Sequence, residues 1–372
     1  MSLSIHLLPE FGWSVRGQPV FGPGSVFQGH VELSLSQTLM MDRVRLVFQG
    51  QEALVPFHIT PGVLRAKHTP LFAVQQTLWE SKDGLRSLDA DTYKFSFTVQ
   101  MPQIQYPPTM DNETYKCSFK LIAVVEEQSS TGPSGYNTLF YSEESMLYMP
   151  FVETQLLKQP LVSKQQDSDL TLTTRLHALC YVPGDCILGS LTISSTSSSS
   201  SSSKKQLDVS LQVYQTITPL VFDDIPSSVR IVASTSKKLS PVYVSSSKSS
   251  SSSSSVTYSS SLELDLPDNL TPTFTYGALC SVTYRLVLTV KRKGPLGMWA
   301  QELTKEWPLT VGTLGAGVRS CSDLLVYCAD STTTEQLRPK FMKAVEYEDA
   351  LPLYDSDRLP DYQAHTVISS VL

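Results

Sequence analysis

Residues 22–33 read GPGSVFQGHVEL, and residues 182–193 read VPGDCILGSLTI. Each stretch holds a Pro-Gly pair, four residues, a second glycine, and then alternating apolar and polar residues. Pro183 follows Pro23 by 160 positions, and Gly189 follows Gly29 by the same 160. A Pro-Gly pair is a turn by its chemistry, because proline fixes φ and glycine accepts the positive φ that side chains disfavour. A glycine just inside a strand marks a bulge or the close approach of another backbone. After Gly29, Val31, Leu33 and Leu35 share one face while Glu32 and Ser34 take the other, which is the period of a half-buried strand.

Working outward from these two stretches, further segments repeat in the same order. Val44, Leu46 and Phe48 alternate within residues 41–50, and residues 207–214 correspond to them. Residues 266–273 echo residues 101–109, with Pro267 standing 165 after Pro102. Residues 284–288 match residues 119–123 at the same offset of 165. Four matches in order at a nearly constant spacing indicate two copies of one domain. No segment holds an apolar period of 3.6 for more than two turns, and the candidate strands are short and bounded by Gly, Pro and Ser. The expected fold class is therefore all-β, with two tandem antiparallel immunoglobulin-like β-sandwiches. The expected division is a first sandwich at 1–153, a linker at 154–168 and a second sandwich at 169–315. Serine-rich loops interrupt the second sandwich at 194–203 and 245–255. A flexible, disordered C-terminal tail is expected at 316–372.

Composition agrees with this plan. At 372 residues the chain is too long for one ordinary sandwich, and 41% hydrophobic residues suffice for a sizeable core. Charged residues are only 17% and the net charge is -6, which argues against a nucleic-acid surface. The start MSLSIHLLPEFGW lacks a basic leader and a signal-length apolar run, so the expectation is a cytoplasmic protein without a membrane span. Cys117, Cys180, Cys186, Cys280, Cys321 and Cys328 show no C-x-x-C spacing and read as free thiols. His6, His30, His58, His68, His177 and His365 lie far apart, none pairing at i,i+4, so no metal site and no cofactor is expected. Gly22-x-Gly24 is not followed by the Gly-Lys-Ser/Thr and helix of a phosphate loop, and no Gly-x-Ser-x-Gly elbow occurs. No catalytic residue is named, and the chain is not expected to be an enzyme.

Two Pro-Gly-led sandwiches of about this size resemble the arrestin fold. The likeness rests on Val20–Glu32, Val44–Glu52, Leu88–Met110 and Tyr115–Glu126 in the first half, and on Tyr181–Ile193, Leu207–Thr216 and Ala278–Val290 in the second. Within that superfamily the chain looks like an α-arrestin, the arrestin-related trafficking adaptors best known in fungi, which carry Pro-Pro-x-Tyr motifs in a C-terminal tail. Here EDALPLYDSDRLPDYQ at 348–363 holds two Leu-Pro-x-Tyr copies, Leu351-Pro352-Leu353-Tyr354 and Leu359-Pro360-Asp361-Tyr362. WW domains take extended proline segments into aromatic-lined grooves. The resemblance therefore implies that Leu351, Pro352, Tyr354, Leu359, Pro360 and Tyr362 bind WW domains. Leucine replaces the leading proline and does not pre-set φ, so each copy is expected to bind more weakly than Pro-Pro-x-Tyr. At about 3.1 Å per extended residue the two copies stand about 25 Å apart, a span suited to tandem WW domains.

The resemblance further implies an adaptor that links membrane transporters or receptors, through their cytosolic segments, to a WW-domain HECT-type ubiquitin ligase for endocytosis. Its membrane association would be peripheral, through cargo, at the plasma membrane or endosomes. Lys340 and Lys343 are candidate ubiquitin acceptors. The alternative is an arrestin-fold coat or scaffold component of endosomal sorting, retromer-like and without ligase recruitment.

Overall fold

The computed structural model describes residues 1–8, 14–15, 17–60, 63–81, 87–128, 135–155, 160–167, 169–195, 206–221, 225–243, 256–293, 299–328 and 337–343. The strands of the first half are β1 (Ser2–Leu7), β2 (Ser14–Val15), β3 (Gln18–Phe21), β4 (Val26–Ser34), β5 (Leu39–Met40), β6 (Arg43–Thr60), β7 (Val63–Glu80), β8 (Ser87–Leu88), β9 (Thr92–Gln100), β10 (Ile104–Gln105), β11 (Met110–Asp111), β12 (Tyr115–Gln128) and β13 (Tyr136–Tyr148). The second half supplies β14 (Leu161–Asp167), β15 (Leu170–Leu176), β16 (Cys180–Tyr181), β17 (Cys186–Ser195), β18 (Leu207–Pro219), β19 (Ser228–Leu239), β20 (Val242–Tyr243), β21 (Val256–Asp265), β22 (Cys280–Lys293) and β23 (Trp299–Val311). Two short strands, β24 (Leu325–Val326) and β25 (Lys340–Met342), follow. No α-helix occurs among the described residues.

The two copies read from the sequence are two sandwiches with one wiring. The first pairs a sheet ordered β1-β4-β9-β25 with one ordered β2-β3-β13-β12-β6-β7; the second pairs β14-β15-β17-β21-β20 with β16-β23-β22-β18-β19. In each, a short strand after the first hairpin region runs parallel to the last long strand: Val20 pairs with Leu147, and Cys180 with Thr310. The central registers agree to the residue. Leu121 sits opposite Phe48, and Leu286 opposite Val213, both partners shifted by 165.

The Pro-Gly turns are built alike. Gly24 and Gly184 have φ of 72° and 84°. The Gly24 amide donates to the Pro102 carbonyl at 3.0 Å, and the Gly184 amide to the Pro267 carbonyl at 3.2 Å. The second glycines mark close approach rather than a bulge. A Cβ on Gly29 would lie 2.4 Å from the His6 carbonyl oxygen, and one on Gly189 would lie 2.7 Å from that of Arg175. Only glycine lets β1 and β15 sit so near β4 and β17.

Alternation decides which face is buried. Along β18, Leu207, Val209, Leu211 and Val213 point inward while Asp208, Ser210 and Gln212 point outward. The first core is aromatic: Phe27, Phe48, Phe72, Phe119, Tyr106 and Tyr148 form a chain of tilted and edge-on ring contacts at 4.7–6.2 Å. The second is largely aliphatic, built on Leu172, Ile187, Leu191, Ile193, Leu211 and Leu286.

Three expected boundaries are corrected. Residues 161–167 of the expected linker are β14, laddered antiparallel to β15 from Leu161↔Leu176 to Asp167↔Leu170. An edge strand packs on one side only, so the polar run Ser163–Gln166 pairs without a hydrophobic alternation. Ser194 and Ser195 of the expected loop belong to β17, with Ser195 buried and donating to Asp169 Oδ2 at 3.3 Å; residues 196–203 and 245–255 lie outside the described residues. The expected flexible tail at 316–372 begins as bound chain: β24 pairs in parallel with β10, and β25 pairs antiparallel with β9. Backbone hydrogen bonds to open strand edges, with buried Tyr327 and core-packed Phe341, hold two apolar runs that are too short to read as strands.

Candidate functional site

The C-terminal segment attaches to the first sandwich at two places. At β24 the Leu325 amide donates to the Gln103 carbonyl at 2.9 Å and the Tyr327 amide to the Gln105 carbonyl at 3.1 Å. At β25, Lys340, Phe341 and Met342 pair with Gln100, Val99 and Thr98, and Phe341 packs against the core. Between them the Tyr106 hydroxyl donates to the Leu337 carbonyl at 2.6 Å, and the Tyr106 ring stands 5.7 Å from that of Tyr327. Burial pushes the Tyr327 hydroxyl up to about 12 and the Tyr106 hydroxyl higher still, so both stay protonated. A cavity of about 270 Å³ lies under the segment, lined by Leu71, Ile104, Tyr106, Leu325, Tyr327 and Leu337 among others.

The seam between the sandwiches is held by a buried carboxylate. Glu52 lies on β6 and is fully buried; its two oxygens accept the amides of Ala278 at 3.1 Å and Leu279 at 3.0 Å, just ahead of β22. Burial raises its pKa against the lowering effect of those two N–H groups. The exits of the sandwiches are also tied together. The Val152 amide donates to Thr313 Oγ1 at 2.8 Å, and the Thr313 hydroxyl donates to the Pro150 carbonyl at 2.6 Å. Glu153 receives the Ser320 hydroxyl, the Ser320 amide and Arg319, in that order of effect, which hold its carboxyl down at about 2. A groove of about 630 Å³ opens beside this seam, between Thr109, Leu147 and Met149 of the first sandwich and Pro183, Leu270 and Pro272 of the second.

Of the residues singled out in the sequence, Lys340 and Lys343 are exposed, Lys340 within β25. Leu351, Pro352, Tyr354, Leu359, Pro360 and Tyr362 lie outside the described residues. Arg43 and Arg45 clamp buried Glu126 at 2.5 and 2.7 Å, with Arg43 also 3.6 Å from the Tyr136 ring centroid. These are structural contacts of β6 with its neighbour β12 and, through Tyr136, with β13.

Two features escaped sequence reading. Glu52 carried no signal beyond its place in the strand run Val44–Glu52; comparison with its counterpart in the second copy, Ile217, would have exposed it as a carboxylate at an apolar core position. The other feature corrects the view that the histidines are scattered. His6 on β1 and His30 on β4 are direct cross-strand partners, with stacked rings 5.1 Å apart at the centroids. Glu32 adjoins them, its Oε2 3.9 Å from His30 Nε2. Burial, then the His6 and Lys94 charges, lowers the His30 pKa, and Glu32 opposes this.

A family model described as arrestin (or S-antigen), C-terminal domain, matches residues 166–315. No curated protein matches the chain. The matched span runs from the end of β14 to just past β23, which is the second sandwich. The first sandwich repeats the same wiring in the same register. The second sandwich is thus similar to an arrestin C-terminal domain, and the fold of two β-sandwiches is consistent with that likeness.

Proposed function

We propose that the chain is a trafficking adaptor of the α-arrestin kind, similar to those best known in fungi, that brings a WW-domain HECT-type ubiquitin ligase to membrane transporters or receptors. Leu351-Pro352-Leu353-Tyr354 and Leu359-Pro360-Asp361-Tyr362 are the ligase-binding elements, and cytosolic segments of the cargo are the other partner. The protein is cytoplasmic and reaches the plasma membrane or endosomes through cargo. The observation that carries this reading is the attachment of β25 to β9, which fixes the chain at Met342 on the edge of the first sandwich. Leu351 follows only nine residues later. A rigid two-sandwich body would then present both motifs from one defined point, close enough for linked WW domains to engage together. Exposed Lys340, within that anchor, and Lys343, just after it, are the ubiquitin acceptors in this reading.

The test is binding of the full-length chain to a tandem WW-domain protein. Tyr354→Ala with Tyr362→Ala is expected to abolish binding, and each single change to weaken it by losing one arm of a bivalent contact. Unchanged binding by the double variant would remove the ligase from the reading. Recovery from cell extract of coat subunits and no ligase would favour the endosomal scaffold instead.

A further inference from the structure

We propose that His6, His30 and Glu32 form a surface site for a divalent transition metal of the zinc class, with two imidazoles and one carboxylate as ligands and the remaining position open to solvent. The ligand atoms of these three side chains all lie within 4.8 Å of one another. The backbone brings them together. His6 and His30 are partners in the β1–β4 ladder, and Glu32 is two residues on from His30, so all three project from one face of the sheet. Gly29, beside His30, lets the His6 backbone come close, which brings the two rings to their stacking distance. The site therefore stands on paired strands rather than on loops.

Metal–nitrogen and metal–oxygen bonds of about 2.0–2.2 Å place the ligand atoms of a tetrahedral zinc about 3.4 Å apart. The present spacings, within 4.8 Å, exceed this by at most about 1.4 Å. Side-chain rotation suffices to close that gap, since His6 is exposed and His30 and Glu32 are only half-buried. Ser4 Oγ lies 2.9 Å from His6 Nε2 and is placed to orient that ring once it turns. Two imidazoles and a carboxylate suit zinc, nickel or copper better than magnesium or calcium, which prefer all-oxygen shells. One side chain opposes binding: Lys94 Nζ sits 3.3 Å from Glu32 Oε2 and must swing away, which its exposure permits. A bound ion would clip edge strand β1 to β4, independently of the ligase-binding motifs.

The experiment is titration of the full-length protein with Zn²⁺, followed by calorimetry and thermal unfolding, together with Co²⁺ absorption. One equivalent is expected to bind saturably and to raise the unfolding midpoint. The Co²⁺ spectrum should show d–d bands without a thiolate charge-transfer band. His6→Ala and His30→Ala should each weaken binding by more than the roughly 10–100-fold that loss of an outer-shell partner costs. Lys94→Ala should tighten it by freeing Glu32. The proposal is overturned by the absence of saturable binding, by undiminished binding in the His6→Ala, His30→Ala double variant, or by a thiolate band assigning the metal to the cysteines.

Discussion

Glu52 in the first sandwich and Ile217 in the second stand at the same point of a shared plan. Glu52 pairs with Cys117 across β6 and β12, and Ile217 with Val282 across β18 and β22, each 165 residues further on. Ile217 is an ordinary buried aliphatic side chain, whereas Glu52 is a carboxylate with no exposure at all. The difference follows from what each site faces. The Glu52 side chain meets two backbone N–H groups that arrive from the other sandwich, and a hydrocarbon there would leave both without an acceptor. The sheet edges diverge similarly. Beyond β21 the second sandwich closes with its own β20, while beyond β9 the first closes with β25 from the far end of the chain. Duplication supplies the frame, and the copies depart from one another where they join each other or receive the C-terminal segment.

Removing the Glu52 side chain should have the largest effect. Glu52→Ala orphans two buried amides at about 1–3 kcal/mol each, so a loss of about 2–6 kcal/mol is expected in chemical unfolding. Faster hydrogen exchange at Ala278 and Leu279 would separate loss of the seam from a general weakening of the first sandwich; if both amides stay as protected as in the parent, the seam assignment is wrong. The Glu52 carboxyl has a raised folded pKa, so the stability it contributes is complete below its unfolded value of 4.5 and is lost as pH rises through the folded value. Glu52→Gln has no such titration, so the advantage of the parent over this variant should shrink as pH rises through that window.

The paired glycines offer the next break in the symmetry. Gly29→Ala pushes a Cβ to 2.4 Å from the His6 carbonyl oxygen and 2.6 Å from the Phe97 ring; Gly189→Ala meets Arg175 O at 2.7 Å and the pliable Leu176 Cδ2 at 3.0 Å. Both should destabilise by about 1–3 kcal/mol, as overpacking does, with Gly29→Ala the worse. The difference is read from denaturant midpoints of the two single variants. Equal losses would mean that the Phe97 ring and β1 yield as easily as Leu176.

Those glycines also show how much was legible in advance. The Pro23-Gly24 and Pro183-Gly184 turns, the alternation after Gly29 and Gly189, and the constant offset are local properties, and the sandwiches follow from them. Edge strands were not legible. β14 and β25 pair through their backbones; the polar run of β14 has the composition of a linker, and β25, at three residues, is too short to show alternation. The seam was hidden for a related reason: Glu52 is explained only by the amides of Ala278 and Leu279, more than 220 residues away. His6 and His30 likewise sit 24 residues apart in sequence but meet across the β1–β4 ladder.

A smaller effect is expected at the C-terminal attachment, for which the second sandwich serves as internal control. Tyr106→Phe deletes the hydroxyl that donates to the Leu337 carbonyl and leaves the ring contacts of the aromatic core in place. A net cost of about 0.5–1.5 kcal/mol is expected for this hydrogen bond. Exchange at residues 340–342 should accelerate while β20, which closes the second sandwich at the matching edge, keeps its protection. Equal acceleration at both edges would show a global rather than a local loss.

The smallest effect belongs to Glu153, where the exit of the first sandwich meets the segment leaving the second. The Ser320 hydroxyl, the Ser320 amide and Arg319 hold this exposed carboxyl at about 2 instead of its usual 4.5. A depressed folded pKa means that its contribution is present above 4.5 and is lost as pH falls through about 2. Solvent screens these contacts, so the response should be local rather than an unfolding step. The Ser320 amide resonance should shift on acidification across that window and lose its shift in Glu153→Gln, which cannot titrate. Ionisation elsewhere would produce the same acid response in parent and variant alike, and that result would leave the two exits tied by Thr313 and its neighbours alone.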